Sequence, residues 1–133
     1  MTTSPTQPLH ILLVDDDIQL AQAMQQYLDL EGFEVTILNG GQEALDWLSA
    51  NHKVDIVLLD IMMPRVDGFA VLESIRAKPD TKDIPVIVFT ALSDQKTLER
   101  AKALNAHQIL VKASTNPADI VGIVKDVLAR SRQ

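Results

Sequence analysis

Three consecutive carboxylates, Asp15-Asp16-Asp17, and a separate one at Asp60 each follow a hydrophobic run, and that placement suggests what they could do. Ile11-Leu12-Leu13-Val14 stops at the first group, and Val54-Asp55-Ile56-Val57-Leu58-Leu59 stops at Asp60. An apolar run that ends at a carboxylate reads as a buried strand with the charge at its C-terminal tip. Neighbouring parallel strands lie ~4.8 Å apart, so two such tips would bring their carboxylates together. Clustered carboxylates repel one another and favour a cation. Hard oxygen ligands suit magnesium, or manganese in its place. A carboxylate beside such an ion can act as a nucleophile toward a phosphoryl group. Two further runs end in Thr90 and Lys112, a hydroxyl donor and an ammonium, which are the groups a transferring phosphoryl needs at its oxygens.

The elements that must position these residues alternate along the chain. After the first strand, Ile18, Ala21, Met24 and Leu28 recur at helical spacing, with Asp16 or Asp17 as N-cap. Gly32 closes that helix, and Phe33 to Leu38 reads as a second strand. Asn39-Gly40-Gly41 turns into a helix through Ala44, Leu45 and Leu48. After the third strand, Gly68 to Ala77 carries Phe69, Leu72 and Ile75 on one face. A polar loop from Lys78 to Asp83 leads to Pro85 and a fourth strand, Val86 to Thr90. Ser93 is placed to cap a helix through Leu98, Ala101 and Leu104. Gln108 to Val111 is the fifth strand, and Asn116-Pro117 opens a last helix with Ile120, Ile123, Val124, Val127 and Leu128 on its apolar face. Five strand–helix alternations predict an α/β domain with a five-stranded parallel sheet. The flavodoxin-like doubly wound order 2-1-3-4-5 is the one that sets the first and third strands side by side.

Composition fits one such domain. The chain has 133 residues, 47% of them hydrophobic, and a net charge of -6, which gives no global pull toward nucleic acid or anionic membrane. There is no cysteine, so disulfides and thiolate zinc sites are excluded. No stretch approaches the ~20 apolar residues of a membrane span. The expected organisation is a flexible polar tail at residues 1–8 and a single domain from residue 9 to 133, in the cytoplasm.

At this point the chain resembles a known family, the receiver domains of two-component response regulators, in their stand-alone, chemotaxis-regulator-like form. The stretches that carry the resemblance are Ile11 to Asp17, Leu58-Leu59-Asp60-Ile61-Met62-Met63-Pro64-Arg65-Val66-Asp67-Gly68, Pro85 to Ala91, and Leu110-Val111-Lys112. The resemblance runs from about Leu9 to Arg130. It implies that Asp60 accepts phosphate from a sensor histidine kinase or a histidine phosphotransfer protein. Asp16, Asp60 and the backbone carbonyl of Met62 would ligate magnesium, with Asp15 acting mainly through a bound water. Lys112 would pair with the phosphoryl oxygens, and Thr90 would move onto them after phosphorylation. Output would pass to a downstream protein target by contact rather than to nucleic acid or membrane, and a homodimer through the fourth helix, fifth strand and fifth helix is left open.

Three departures from the family pattern bear on this. Lys112 is followed by Ala113 where the family usually has proline after a cis bond, and a cis bond before a non-proline residue costs ~3 kcal/mol. Ile109 stands where most members carry an aromatic switch residue, so a tyrosine-style switch is unavailable. Met62 and Leu92 occupy positions that influence dephosphorylation, and neither can orient a water, which predicts a slowly hydrolysed aspartyl phosphate. Two other functions compete with this reading. A magnesium-dependent aspartyl-phosphate phosphatase would place its nucleophile on the first strand, and a degenerate receiver would act only as a docking module. Asp17 is read as a cap, His10, His52 and His107 as surface or strand-edge residues, and Trp47 as packing.

Overall fold

Asp17 ends the first acidic run and begins the first helix, because its carboxylate accepts a hydrogen bond from the Leu20 N–H, one of the unpaired donors of the opening turn. The computed structural model describes residues 8–91 and 94–131. Its strands are β1 (His10–Val14), β2 (Glu34–Leu38), β3 (Ile56–Leu59), β4 (Val86–Thr90) and β5 (Gln108–Val111). Its helices are α1 (Ile18–Leu30), α2 (Gly41–Ser49), α3 (Gly68–Ala77), α4 (Gln95–Ala103) and α5 (Ile120–Ser131). All strand pairs are parallel, in the order β2-β1-β3-β4-β5. The expected flavodoxin-like doubly wound sheet is therefore present, with β1 and β3 adjacent.

Side chains alternate across the sheet, as the two-residue strand period requires. Leu12, Val14, Val57, Leu59, Val86 and Val88 face Phe69, Leu72 and Ile75 of α3. Ile11, Leu13, Ile56, Leu58, Ile87 and Phe89 face Met24 and Leu28 of α1 and Val124 and Val127 of α5. Burial on both faces explains why these strands read as unbroken apolar runs.

The boundaries differ from the sequence reading where local chemistry competes. β3 begins at Ile56 rather than Val54, yet Asp55 still bonds β1: its N–H reaches the His10 carbonyl at 2.8 Å and its carboxylate accepts the His10 N–H at 2.7 Å. Asp94 caps α4, accepting from the Thr97 N–H and hydroxyl, while Ser93, the expected cap, lies outside the described residues. Asn116 does cap as expected, but it opens a short 3₁₀ turn, Pro117–Asp119, and α5 proper starts at Ile120. The expected N-terminal tail falls, apart from Pro8, outside the described residues. Trp47 packs as read, stacked on His52 with ring centroids 4.2 Å apart and edge-on to His10.

Two features tie the outer layer to the loops of interest. Arg76 of α3 donates to four backbone carbonyls, those of Leu104, Lys82, Ile84 and Asn105, and so ties the end of α4 to the loop before β4. Gly68 opens α3 directly over the chain after β3: a Cβ there would strike the carbonyl oxygen of Asp60 and come within 2.7 Å of the Ile61 Cα. Backbone cannot yield as a flexible side chain would. Gly68→Ala is therefore expected to destabilise the protein by about 1–3 kcal/mol, the range for overpacking a tight site, read by urea denaturation.

Candidate functional site

Asp15 and Asp60 leave the tips of β1 and β3, where Val14 pairs with Leu59 and the Asp60 N–H closes the ladder onto the Val14 carbonyl at 2.9 Å. Both carboxylates are almost wholly buried, at 1% and 2% exposure, whereas Asp16 is exposed. One oxygen from each of Asp15, Asp16 and Asp60 lies within 4.8 Å of the others. The ammonium of Lys112 sits across the two buried ones. It donates to Asp15 Oδ1 at 3.1 Å and to Asp60 Oδ2 at 3.2 Å. Backbone N–H groups complete the support, Asp17 donating to Asp15 Oδ1 at 2.9 Å and Met62 to Asp60 Oδ1 at 3.2 Å.

Lys112 reaches this position through a trans bond, since no peptide bond among the described residues is cis. Residues Lys112–Ser114 form a 3₁₀ turn beyond β5, and the ammonium lies 5.8 Å from the centroid of the buried Phe89 ring. Thr90 ends β4, fully buried and in register with Val111, on the strand between those that lead to Asp60 and Lys112. Met62 follows Asp60 by two residues with its side chain half exposed. Ile109 is half-buried and packs on the core face shared with α3. Leu92 lies outside the described residues.

The electrostatics follow from this crowding. Burial raises the pKa of Asp60, and the neighbouring Asp15 carboxylate raises it further. Lys112 offsets only part, leaving the group at about 7 instead of 3.8. Burial alone would lower Lys112, but Asp15 and then Asp60 outweigh it and hold the ammonium above its usual 10.5. A single ammonium does not satisfy two buried carboxylates and a third at the rim. Asp15 Oδ2 shows the deficit: it lies 3.1 Å from the Lys112 ammonium but takes no aligned hydrogen bond from any group among the described residues. A set of three carboxylates with an unsatisfied buried oxygen is a hard-oxygen donor set, and it fits magnesium or manganese.

The acidic residues and Lys112 were each legible as strand-tip residues. In the sequence Asn39 reads only as part of a turn, yet its side-chain amide donates to the Asp15 carbonyl at 3.0 Å. Phe89 reads only as a strand residue. Nothing in the local sequence marks either, because each acts on a partner far along the chain.

Comparison with known proteins identifies the family. The family model of the response regulator receiver domain matches residues 11–125. A CpxR homolog of Haemophilus influenzae, a transcriptional regulatory protein, is 37% identical over 121 residues, which is 91% of this chain and 51% of that protein. The response regulator SaeR of Staphylococcus aureus is 34% identical over 124 residues, 93% of this chain and 52% of that protein. The chain thus spans about half the length of these curated relatives. A CheY-like receiver domain protein from Methanospirillum hungatei superposes with a TM-score of 0.84 at 25% identity, covering 94% of this chain and 97% of that one. The chemotaxis protein CheY4 of Vibrio cholerae gives 0.81 at 28% identity, covering 90% and 98%. No helix among the described residues is long and apolar enough to cross a membrane.

The raised Asp60 pKa has a definite sign. The native state holds this proton more tightly than the unfolded chain does. The associated stability is therefore complete below about pH 4 and is lost as pH rises toward 7. In the absence of divalent ions, Asp60→Asn is expected to be more stable than wild type at pH 8, by about 2–4 kcal/mol, and no more stable at pH 3.5. Thermal unfolding of both proteins across that range checks it, and a gap independent of pH would contradict the assigned cause.

Proposed function

The chain belongs to the response regulator receiver domain family, and from that premise we propose that it is a phosphorylation-operated signalling switch. Asp60 accepts a phosphoryl group from a histidine kinase or histidine phosphotransfer protein, in a reaction that requires magnesium. The observation that carries this reading is the meeting of the Asp15, Asp16 and Asp60 oxygens within 4.8 Å, with the Lys112 ammonium bridging Asp15 and Asp60. Asp15, Asp16, Asp60 and the Met62 carbonyl would hold the ion. Bound there, it would neutralise the phosphoryl oxygens and favour the ionised form of Asp60.

In the transfer, an Asp60 oxygen forms a bond to phosphorus as the donor's N–P bond breaks. The donor imidazole, protonated on its other ring nitrogen, leaves neutral. Attack needs Asp60 ionised, and Lys112, already beside its Oδ2, is placed to follow the charge onto the phosphoryl oxygens. The Thr90 hydroxyl supplies a further donor once the phosphoryl is present. Phosphorylation adds charge at the point where β3 hands over to α3, and the altered surface is read by a protein partner.

The test is incubation with a small acyl-phosphate donor, read by intact mass. A single phosphate adduct is expected on wild type with magnesium. It should be absent from Asp60→Asn and from chelator-treated wild type. No adduct on a wild type shown to bind magnesium would instead support a phosphate-independent docking module. The lifetime of the adduct gives a second test. Met62 is half exposed and apolar and cannot orient an attacking water, so hydrolysis should be slow, and Met62→Asn should speed it severalfold. An unchanged lifetime in that variant would remove Met62 from the account.

A further inference from the structure

Asp16 is the least supported of the three clustered carboxylates. Asp15 and Asp60 are buried and held by Lys112 and by backbone N–H groups, but Asp16 is exposed and its carboxylate takes no hydrogen bond or ion pair among the described residues. Its position therefore depends on its backbone. That backbone is set by the way β1 stops pairing with β2. Val14 lies opposite Leu38, and the last rung of the ladder runs from the Asp15 N–H to the Leu38 carbonyl at 3.1 Å. A continuing parallel ladder would next bring the Gly40 N–H onto the Asp15 carbonyl. Gly40 has instead left the strand to become the residue before α2. In that place the side-chain amide of Asn39 donates to the Asp15 carbonyl at 3.0 Å.

The Asp15 carbonyl and the Asp16 nitrogen belong to one planar peptide. Fixing the carbonyl direction therefore fixes the direction in which the chain enters Asp16. We infer that Asn39 is a positioning residue for the cation site: its amide stands in for the missing rung and presents the Asp16 carboxylate to a divalent ion bound by Asp15 and Asp60. This rests on the reading of the cluster as a magnesium site. Outer partners that orient a ligand typically change metal affinity by ~10–100-fold when removed, and a single, only partly buried hydrogen bond belongs at the lower end.

The experiment is a magnesium titration of the whole chain followed by amide chemical shifts, which read weak as well as tight binding. It uses wild type, Asn39→Ala, Asn39→Gln, Asp16→Asn and the Asn39→Ala/Asp16→Asn double variant. Asn39→Ala is expected to bind magnesium about tenfold more weakly than wild type. Asn39→Gln, which keeps an amide able to reach the same carbonyl, should recover most of the loss. In the Asp16→Asn background, Asn39→Ala should weaken binding no further, since the residue acts through Asp16. Wild-type affinity in Asn39→Ala would overturn the inference. An equal loss in both backgrounds would also overturn it, by showing a general loosening of the loop. No magnesium binding by wild type would overturn the cation-site reading itself, and this inference with it.

Discussion

Two buried carboxylates on adjacent strand tips repel each other, and the rest of the molecule is organised around tolerating that repulsion. Asp15 and Asp60 are brought together by the pairing of β1 with β3 and are shielded from water by the core beneath them. Lys112, from the far side of the sheet, supplies one positive charge for both. Removing Lys112 would leave both buried carboxylates uncompensated, which is among the costlier changes a core can suffer. The unresolved part of the repulsion appears in the raised pKa of Asp60 and in Asp15 Oδ2, which takes no aligned hydrogen bond among the described residues. A site left short of positive charge is a set of hard-oxygen donors that a divalent cation would relieve.

Holding such a site requires a rigid frame, and the frame is made from clearances as much as from contacts. Gly68 lets α3 start against the Asp60 backbone, and Gly41 lets α2 start against the carbonyl of Val66 in the same loop. The chain from Asp60 to Gly68 is thus pinned from two helices. Asp67 caps α3 and accepts from Ala70, which fixes where the loop ends. A change of charge at Asp60 is delivered to a segment that has little room to relax locally. Arg76, which gathers four carbonyls from the loop before β4 and the end of α4, extends this continuity toward the opposite end of α3.

Much of this was legible in the sequence because the strands are buried on both faces. Runs such as Ile56 to Leu59 carry no alternation, end abruptly, and mark their tips with the residue that follows. Asp60, Thr90 and Lys112 were visible for that reason, and so was the order that sets β1 beside β3. The sequence was less informative wherever the partner is distant. Asn39 looks like any turn residue until β1 is seen to lose its next rung, and Phe89 looks like core until Lys112 is found above it. The choice between neighbouring capping residues was also hidden. Asp94 begins α4 because its carboxylate can meet both the N–H and the hydroxyl of Thr97, three residues on. The trans bond after Lys112 shows that the lysine reaches the carboxylates without the proline that usually follows it in this family.

The central claim is that the Asp15–Asp16–Asp60 cluster is a charge-frustrated site relieved by a divalent cation. Its most direct test is the titration of the Asp60 carboxyl carbon, followed by NMR in aspartate-labelled protein with and without magnesium. The account predicts a midpoint near 7 in metal-free protein and a fall of at least two pH units when magnesium is bound, since an adjacent divalent charge favours the ionised form. A midpoint near 4 in metal-free protein, with no movement on adding magnesium, would contradict it.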